Sequence, residues 1–149
     1  MSSAPDPTRS SPTPPPQQRL ASVPRLNQLL AALPDEDFQR WRPLLAQVEL
    51  PLGHVLHEAG ETLTHGYFPT TAVISLQYVT EDGSSTGIAQ IGNEGLVGTP
   101  LFMGGGSTPS RALVQSAGFG FRMSGSALRA EFARSPAVMR VLLRFTQAL

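Results

Sequence analysis

The sequence of 149 residues contains no cysteine and no long apolar run. Without cysteine the chain can form no disulfide framework, thiolate zinc site, iron–sulfur cluster or cysteine nucleophile. No run approaches the ~20 apolar residues that a membrane-spanning helix needs. The amino-terminal residues also lack the apolar core of a signal peptide. These absences predict a cytoplasmic protein without membrane contact, and the length corresponds to one domain of roughly 150 residues.

Lysine is absent as well, so all eleven basic residues are Arg, against eleven acidic residues. The charges are unevenly distributed along the chain. Residues 26–94 contain nine acids and two Arg, whereas residues 95–149 contain six Arg and only one acid, Glu131. Either the two segments pair with each other, or the second half faces a small anionic effector or another anionic partner.

Residues 1–25 differ in composition from the rest of the chain. They hold seven of the fourteen prolines, interspersed with Ser, Thr and Gln. Such a segment cannot bury enough apolar surface to offset the entropy lost on ordering. We therefore predict a disordered tail, with the folded part starting near Asn27.

Two short helices are predicted at the start of the folded part. Asn27 is a good N-cap for the first helix, and Pro34 is suited to the start of the second. Apolar residues recur at helical spacing through both segments. These residues are Leu29, Leu30, Leu33, Phe38, Trp41, Leu44 and Leu45.

From residue 46 the pattern changes to short strands separated by glycine-containing turns such as EAGE, EDGS and GNEG. The segments TAVISLQYV and STGIAQI flank EDGS and are expected to pair as a hairpin. Two further strands, RALVQSA and FGFRM, follow a glycine-rich break. Central strands with helices at both ends predict an α+β fold, mainly β, built on a jelly roll.

The chain returns to a helical pattern near its end. Ser124 is predicted to cap one helix, and Pro136 to open the last. In that last helix a single apolar stripe is formed by Val138, Leu142, Phe145 and Leu149. The stripe is either a seam for a partner helix or the face that packs on its own domain. Because no C-cap signal closes the helix, we expect it to continue beyond residue 149.

These segments, in this order, resemble the effector domain of the Crp–Fnr family of bacterial transcription regulators. The resemblance covers about residues 26–149 and includes the stretches VELPLGHVLHEAGE, GIAQIGNEGLVGTPLFMGGG and SRALVQSAGFGFRMSGSALRAEFARSP. The turn glycines fall in matching order. They are Gly53, Gly60, Gly83, Gly92 and Gly98.

The resemblance implies a non-enzymatic sensor domain. It implies a cyclic-nucleotide-binding-like jelly roll over residues 26–135 and the first part of a dimerisation helix over residues 136–149. It further implies a homodimer, and DNA binding through a winged helix-turn-helix domain that this sequence does not contain. In such a regulator, an effector bound near residues 98–111 changes the geometry of the dimer.

The nucleotide pocket of the family resembles a G-E-L turn followed, after a loop, by R-[ST]-A. The first part corresponds here to Gly98, Thr99 and Pro100. Thr99 replaces the acid that accepts a hydrogen bond from the ribose, and an unpaired ribose hydroxyl costs about 1–3 kcal/mol. Pro100 removes a backbone donor from the turn.

The second part of the pocket pattern is inverted to Ser110, Arg111 and Ala112. If Ala112 keeps the alanine position, Arg111 replaces the small hydroxyl residue. If Arg111 keeps its own position, Ala112 replaces the hydroxyl residue. Under either alignment two of the three side-chain contacts are lost, which argues against cyclic nucleotide. Arg111 then either contacts a small anionic effector beside the glycine-rich loop, or is a surface arginine that lies over the sandwich or pairs with an acid of residues 26–94.

Two alternatives from other functional classes remain open. One is a ligand-free interaction module that acts through mixed dimers along the Val138–Leu149 stripe. The other is a cupin-like metal enzyme using residues from the set His54, His57, Glu58, Glu61 and His65. His54 and His57 lie three positions apart on a predicted strand and face opposite sides, so we predict no metal site. Because no nucleophile motif is present, we also predict no catalytic residue.

Overall fold

The computed structural model describes residues 23–103 and 108–148. Most of the predicted tail, residues 1–22, lies outside the described residues. Its last residues belong to the folded part, because Pro24–Leu26 forms a 3-10 turn. Arg25 donates hydrogen bonds to the Asp35 carboxylate (2.7 Å) and the Leu33 carbonyl (2.8 Å). The described structure therefore includes Pro24 and Arg25, which were predicted to belong to the tail.

The two amino-terminal helices are α1 (Gln28–Ala31) and α2 (Asp35–Trp41). Asn27 caps α1 as predicted, because its Oδ1 accepts hydrogen bonds from the backbone N–H groups of Leu29 and Leu30. The amide of the same side chain reaches the rest of the domain, as described below. Asn27 thus fixes the helix start and its position on the sandwich.

Helix α2 is shorter than the apolar pattern predicted. It ends at Trp41, and a 3-10 turn, Arg42–Leu44, follows. Pro43 has no N–H group with which to continue the α-helical hydrogen bonds. As a result Leu44 is 41% exposed, whereas the sequence pattern placed it on the buried stripe.

Within the described residues, seven antiparallel strands form two sheets. One sheet has the strand order β1-β7-β3 and the other the order β2-β6-β4-β5. The strands are β1 (Ala46–Leu50), β2 (Val55–His57), β3 (His65–Pro69), β4 (Val73–Val79), β5 (Ser85–Ile91), β6 (Ser110–Ser116) and β7 (Gly118–Ser124). The sheets confirm the predicted α+β fold with a central β sandwich.

The predicted hairpin is formed by β4 and β5, which pair from Ile74–Ile91 to Val79–Ser85. The last two strands, in contrast, do not pair with each other. Strand β6 lies between β2 and β4, whereas β7 lies between β1 and β3, so the chain crosses from one sheet to the other at Ala117.

Three further helices complete the fold: α3 (Pro100–Met103), α4 (Gly125–Arg134) and α5 (Pro136–Ala148). Ser124 caps α4 as predicted, with its Oγ accepting a hydrogen bond from the Ala127 N–H. Pro136 opens α5, also as predicted. No helix in the described part of the chain has the length and apolar character that crossing a bilayer requires.

The hydrophobic core consists of two clusters. The first lies between the helices and the three-stranded sheet and includes Leu30, Trp41 and Phe68. The second lies between the sheets and includes Ile74, Ile91 and Ala112. Phe145 of α5 packs against both clusters. Helix α5 is therefore in contact with the whole core of the domain.

Candidate functional site

Most of the predicted pocket residues surround one small cavity at the inner face of the four-stranded sheet. Its volume is about 60 Å³. Of the six predicted residues, Gly98, Thr99, Pro100 and Ser110 line it, and Arg111 and Ala112 do not. The other lining residues are His57, Leu76, Ile91, Leu96, Val97 and Thr108. The structure therefore brings the two predicted segments together but leaves the arginine out of the cavity.

Arg111 is separated from the cavity by the alternation of side chains along β6. Ser110 and Ala112 are buried, at 4% and 0% exposure, and Arg111 between them is half-buried. Arg111 lies beside Gln77 of β4, and its Nε is buried without a hydrogen-bond partner. Ser110 is thus the residue of this triplet that faces the cavity, and Ala112 belongs to the core.

The segment that carries Gly98 is held on β3 by a pair of backbone hydrogen bonds. The N–H and C=O groups of Tyr67 and Val97 bond to each other at 2.8 Å in both directions. Gly98 has φ +124°, and a Cβ at this position would lie 3.1 Å from the Gly66 Cα. Glycine is needed here because L side chains rarely adopt this conformation and the neighbouring backbone leaves little room.

Hydroxyl groups provide most of the polarity of the cavity wall. The Thr108 and Ser110 hydroxyls lie 3.1 Å apart, within hydrogen-bonding distance. The Ser110 N–H also donates to Thr108 Oγ1, at 3.4 Å. Thr99 adds a third hydroxyl side chain at the start of α3.

His57 is a cavity residue that the sequence analysis considered only as a metal ligand. It ends β2, is paired with Ala112 of β6 and is 7% exposed. Its Nε2 is buried without a hydrogen-bond partner. Burial lowers the pKa of this imidazole, an effect partly opposed by the Ser110 backbone and by the carboxylates of Glu61 and Glu58.

The position of His57 could not be obtained from strand alternation alone. The pairing of β2 with β6 shifts register between Val55 and His57. A bulge of this kind changes which side chains face the core. The usable signal was the succession of a short strand and the acidic turn that starts at Glu58.

The histidines do not form a metal centre with their neighbours. His54 is exposed before β2, whereas His57 is buried at its end. In the part of the chain that the structure describes, no three His, Asp or Glu side chains come close enough to hold a metal ion. The geometry gives no support to the cupin-like alternative.

The cavity is connected to α5 through a close contact at Gly95. Cavity residues Leu96–Pro100 directly follow Gly95, and the ring of Phe145 lies against Gly95. The Gly95 carbonyl also accepts a hydrogen bond from Asn27 Nδ2 (2.7 Å), which donates to the Pro69 carbonyl as well (2.9 Å). The loop before the cavity is therefore held by both ends of the domain.

The apolar stripe of α5 packs on its own domain. Val138 and Leu142 are both 0% exposed in the single chain, and Phe145 is half-buried against the core. Leu149 lies outside the described residues. The structure thus selects the second of the two interpretations for Val138 and Leu142. A partner seam through these residues would require α5 to leave its own core.

Within the described residues, the surplus charges of the two segments do not neutralise each other, and the one ion pair between the segments is Arg40–Glu131. Among the described residues the ion pairs are Arg25–Asp35, Arg40–Asp37 and Arg40–Glu131. None of them joins an Arg of residues 95–149 to an acid of residues 26–94. The arginines concerned are Arg111, Arg122, Arg129, Arg134, Arg140 and Arg144. Their charge is left for solvent or an anionic ligand.

Comparison with known proteins establishes the fold and not a family. No protein-family model matches the chain, and no curated protein matches it. Among solved structures, it is similar to the N-terminal domain of a transcriptional regulator from Streptomyces coelicolor A3(2). The identity is 25% over 87% of each chain, with a TM-score of 0.61.

Two other similar structures come from transcription regulators. The sensor domain of the regulator DNR from Pseudomonas aeruginosa is 18% identical over 84% of this chain and 87% of its own, with a TM-score of 0.67. The Thermus thermophilus catabolite activator protein is 17% identical over 80% of this chain and 56% of its own, with a TM-score of 0.68. The chain therefore has a cyclic-nucleotide-binding-like fold, shared with regulatory sensor domains at low sequence identity.

Proposed function

We propose that this chain is a non-enzymatic effector domain of a Crp–Fnr-like transcription regulator. A ligand in the cavity beside Ser110 would change the position of α5. The observation that supports this most directly is the continuity between cavity and helix. Cavity residues 96–100 begin immediately after Gly95, against which the Phe145 ring lies. The fold shared with sensor domains supports the same assignment.

The mechanism follows from the contacts around Gly95. A ligand that touches Thr99 and Ser110 shifts the segment after Gly95 relative to β6. Because the Phe145 ring is in contact with Gly95, the carboxyl-terminal part of α5 moves with this loop or leaves it. Two arrangements of a packed interface are the usual basis of such coupling between sites.

The partners in this proposal come from the resemblance. The domain would form a homodimer through the exposed side of α5, which presents Met139, Arg140 and Arg144. DNA binding would be the task of a further domain. Ligand binding would then alter the relative position of two DNA-binding domains through α5.

The effector in this proposal is smaller than a cyclic nucleotide. Ligand sites for drug-sized molecules usually measure about 300–1,000 Å³, whereas this cavity measures about 60 Å³. The prediction of an anion beside Arg111 also needs revision, because the Arg111 side chain and the cavity lie on opposite faces of β6. A ligand inside the cavity would be bound by hydroxyl and imidazole groups.

Filling the cavity tests the proposed coupling. Ser110→Leu places a bulkier side chain in the cavity, and Gln115→Leu on the same strand is a matched control at an exposed position. Hydrogen–deuterium exchange of the α5 amides is measured in both variants. We expect faster exchange around Val141–Phe145 in Ser110→Leu only. Unchanged exchange in α5, with altered exchange around β6, would contradict the coupling.

The regulatory role has a separate test in cells. Deleting the gene should change the abundance of a limited set of transcripts, and the wild-type gene should restore them. Ser110→Leu should fail to restore normal regulation, whereas Gln115→Leu should succeed. A deletion that leaves all transcripts unchanged would overturn the regulatory assignment.

A further inference from the structure

His57 lies between two cavities. It lines the 60 Å³ cavity described above and a second, smaller one of about 20 Å³ on the side of β3. Its side chain is buried, and its Nε2 has no hydrogen-bond partner. Buried polar groups without partners are rare in folded proteins, since leaving them unpaired is unfavourable. An unpaired imidazole nitrogen of a residue that lines both cavities is therefore a candidate ligand contact.

The larger cavity offers hydrogen-bond donors besides His57. Thr108 and Ser110 share one hydrogen bond between their hydroxyls, which leaves one further hydroxyl hydrogen to donate. The Thr99 side chain adds another hydroxyl to the wall. A cavity needs at least ~10–15 Å³ of such volume to hold one water, so 60 Å³ has room for a few non-hydrogen atoms.

The titratable groups near His57 come from two elements only. Glu58 and Glu61 follow β2, and the Glu61 carboxylate accepts a hydrogen bond from the Glu58 N–H. His65 and Tyr67 of β3 line the smaller cavity. Neither β6 nor residues 96–100 contribute a charged side chain to the wall. Among the described residues, His57 is thus the one lining group of the larger cavity that can become cationic.

We propose that the cavity beside His57 binds a compact oxyanion, of the size of formate or acetate, and that the His57 imidazole takes up a proton when the anion binds. The oxyanion would accept hydrogen bonds from the imidazolium and from the hydroxyls of Thr99, Thr108 and Ser110. This inference rests on the proposed function and names the ligand class of the same site. The surplus of arginines in residues 95–149 favours an anion over a cation there.

The proposal predicts a specific dependence of affinity on pH. Burial lowers the pKa of His57 in the free protein, so the imidazole is neutral around neutral pH. Binding an anion stabilises the charged imidazole, and each bound anion then brings one proton with it. Above the pKa of the free imidazole, the affinity should fall about tenfold for each unit of pH increase.

The experiment uses the full chain labelled with 15N-histidine. Sodium formate is titrated at several pH values, with sodium chloride at matched ionic strength as the reference, and the imidazole nitrogens are followed by NMR. We expect saturable shifts of the His57 resonances toward those of the imidazolium and tighter binding at lower pH. His54→Gln is the matched control, since it removes an exposed histidine three residues away.

Two variants test the contacts. His57→Gln should abolish formate binding, and Ser110→Ala, which removes one hydroxyl from the wall, should weaken it by about tenfold, as expected for one lost hydrogen bond of 1.4 kcal/mol. The second variant keeps the test informative if His57→Gln does not fold.

Three outcomes would overturn this proposal. They are the absence of His57 shifts with formate and acetate, binding that is independent of pH, and full binding by folded His57→Gln. If formate fails to bind but Ser110→Leu still loosens α5, the oxyanion proposal is wrong and the proposed effector-domain function stands. If formate binds without any change in α5, the oxyanion proposal stands and the proposed effector-domain function is wrong.

Discussion

Phe145 of α5 lies so close to Gly95 that a side chain at position 95 would displace its ring. A Cβ built on Gly95 would lie 3.0 Å from the Phe145 Cδ2, and two other ring atoms would overlap it. The ring packs against both core clusters, and Gly95 directly precedes the cavity segment. This contact joins the candidate ligand site to the last helix.

Gly95→Ala should displace the Phe145 ring and loosen the end of α5. Overpacking of this kind usually costs about 1–3 kcal/mol of unfolding free energy, measured here by chemical denaturation. Gly92→Ala in the same loop is the control, because the atom nearest to an added Cβ would be at the flexible end of the Glu94 side chain, 3.1 Å away. Equal stability of the two variants would show that the Phe145 ring moves freely and that its contact with Gly95 does not couple the cavity segment to α5.

The link between the two ends of the chain depends on Glu131. This buried carboxylate accepts hydrogen bonds from Arg40 Nε at 2.7 Å and from Trp41 Nε1 at 3.2 Å. Hydrogen bonds to Asp37 and Glu131 raise the pKa of Arg40, which stays charged. The network therefore joins α2 to α4 through one carboxylate.

Glu131→Gln should lower the unfolding free energy by about 2–3 kcal/mol, since it leaves the partly buried Arg40 guanidinium with only one of its two charged partners, Asp37. Glu36→Gln, at an exposed position of α2, should change stability by less than about 0.5 kcal/mol. Denaturant titration of both variants measures the difference. If Glu131→Gln loses as little stability as the control, the hydrogen bonds of Glu131 contribute no more to stability than contacts at an exposed position.

Leu142 should behave as a core residue of the single chain. Leu142→Ala should cost about 2–5 kcal/mol of unfolding free energy, because it leaves a cavity in the main core cluster. Met139→Ala on the same helix, where the side chain is 36% exposed, should cost far less. If Leu142→Ala keeps its stability and loses only self-association, the stripe is a partner seam after all.

Self-association should instead depend on the exposed side of α5. Met139→Glu should weaken a homodimer without unfolding the domain, because it introduces a charge on a surface that would be buried between subunits. Sedimentation equilibrium gives the association constant, with Ala133→Glu on the exposed side of α4 as the control. A wild-type chain that stays monomeric at all concentrations would contradict dimerisation through this domain alone.

The stability of the domain should decrease when the solution is acidified toward pH 5, partly through His57. Its pKa is lowered in the folded state by burial. As the pH falls below about 6.5, the ordinary imidazole value, the unfolded chain takes up a proton that the folded chain does not. Since the unfolded state then binds more protons than the folded state, the unfolding free energy decreases as the pH is lowered in this range.

His57→Gln should reduce this acid sensitivity, and His54→Gln should retain it. Thermal unfolding across the same pH range compares the two variants with the wild-type chain. Identical pH profiles for wild type and His57→Gln would mean that His57 is accessible to protons in the folded state.

The sequence alone was sufficient for features that depend on neighbouring residues. Asn27 and Ser124 cap helices because their side chains reach N–H groups two or three positions away. The hairpin of β4 and β5 follows from two strand patterns around one short turn. The α+β fold with a central sandwich was predictable because such local signals occur in a fixed order. Pro43 was also a local signal, because it ends α2 at Trp41. Its effect was missed because the apolar residues continue at helical spacing to Leu45.

Only the tertiary structure decided which side chains share a site. Alternation along β6 places the Arg111 and Ser110 side chains on opposite faces of the sheet. Which of these faces is buried depends on how the two sheets pack. A register shift in β2 directs His57 into the same cavity, from a position more than 50 residues before Ser110. The apolar stripe of α5 was equally compatible with a partner and with its own domain. Contacts between residues far apart in the chain bury Val138 and Leu142 in their own domain and keep Arg111 out of the cavity, because burial depends on the completed packing and not on the local pattern.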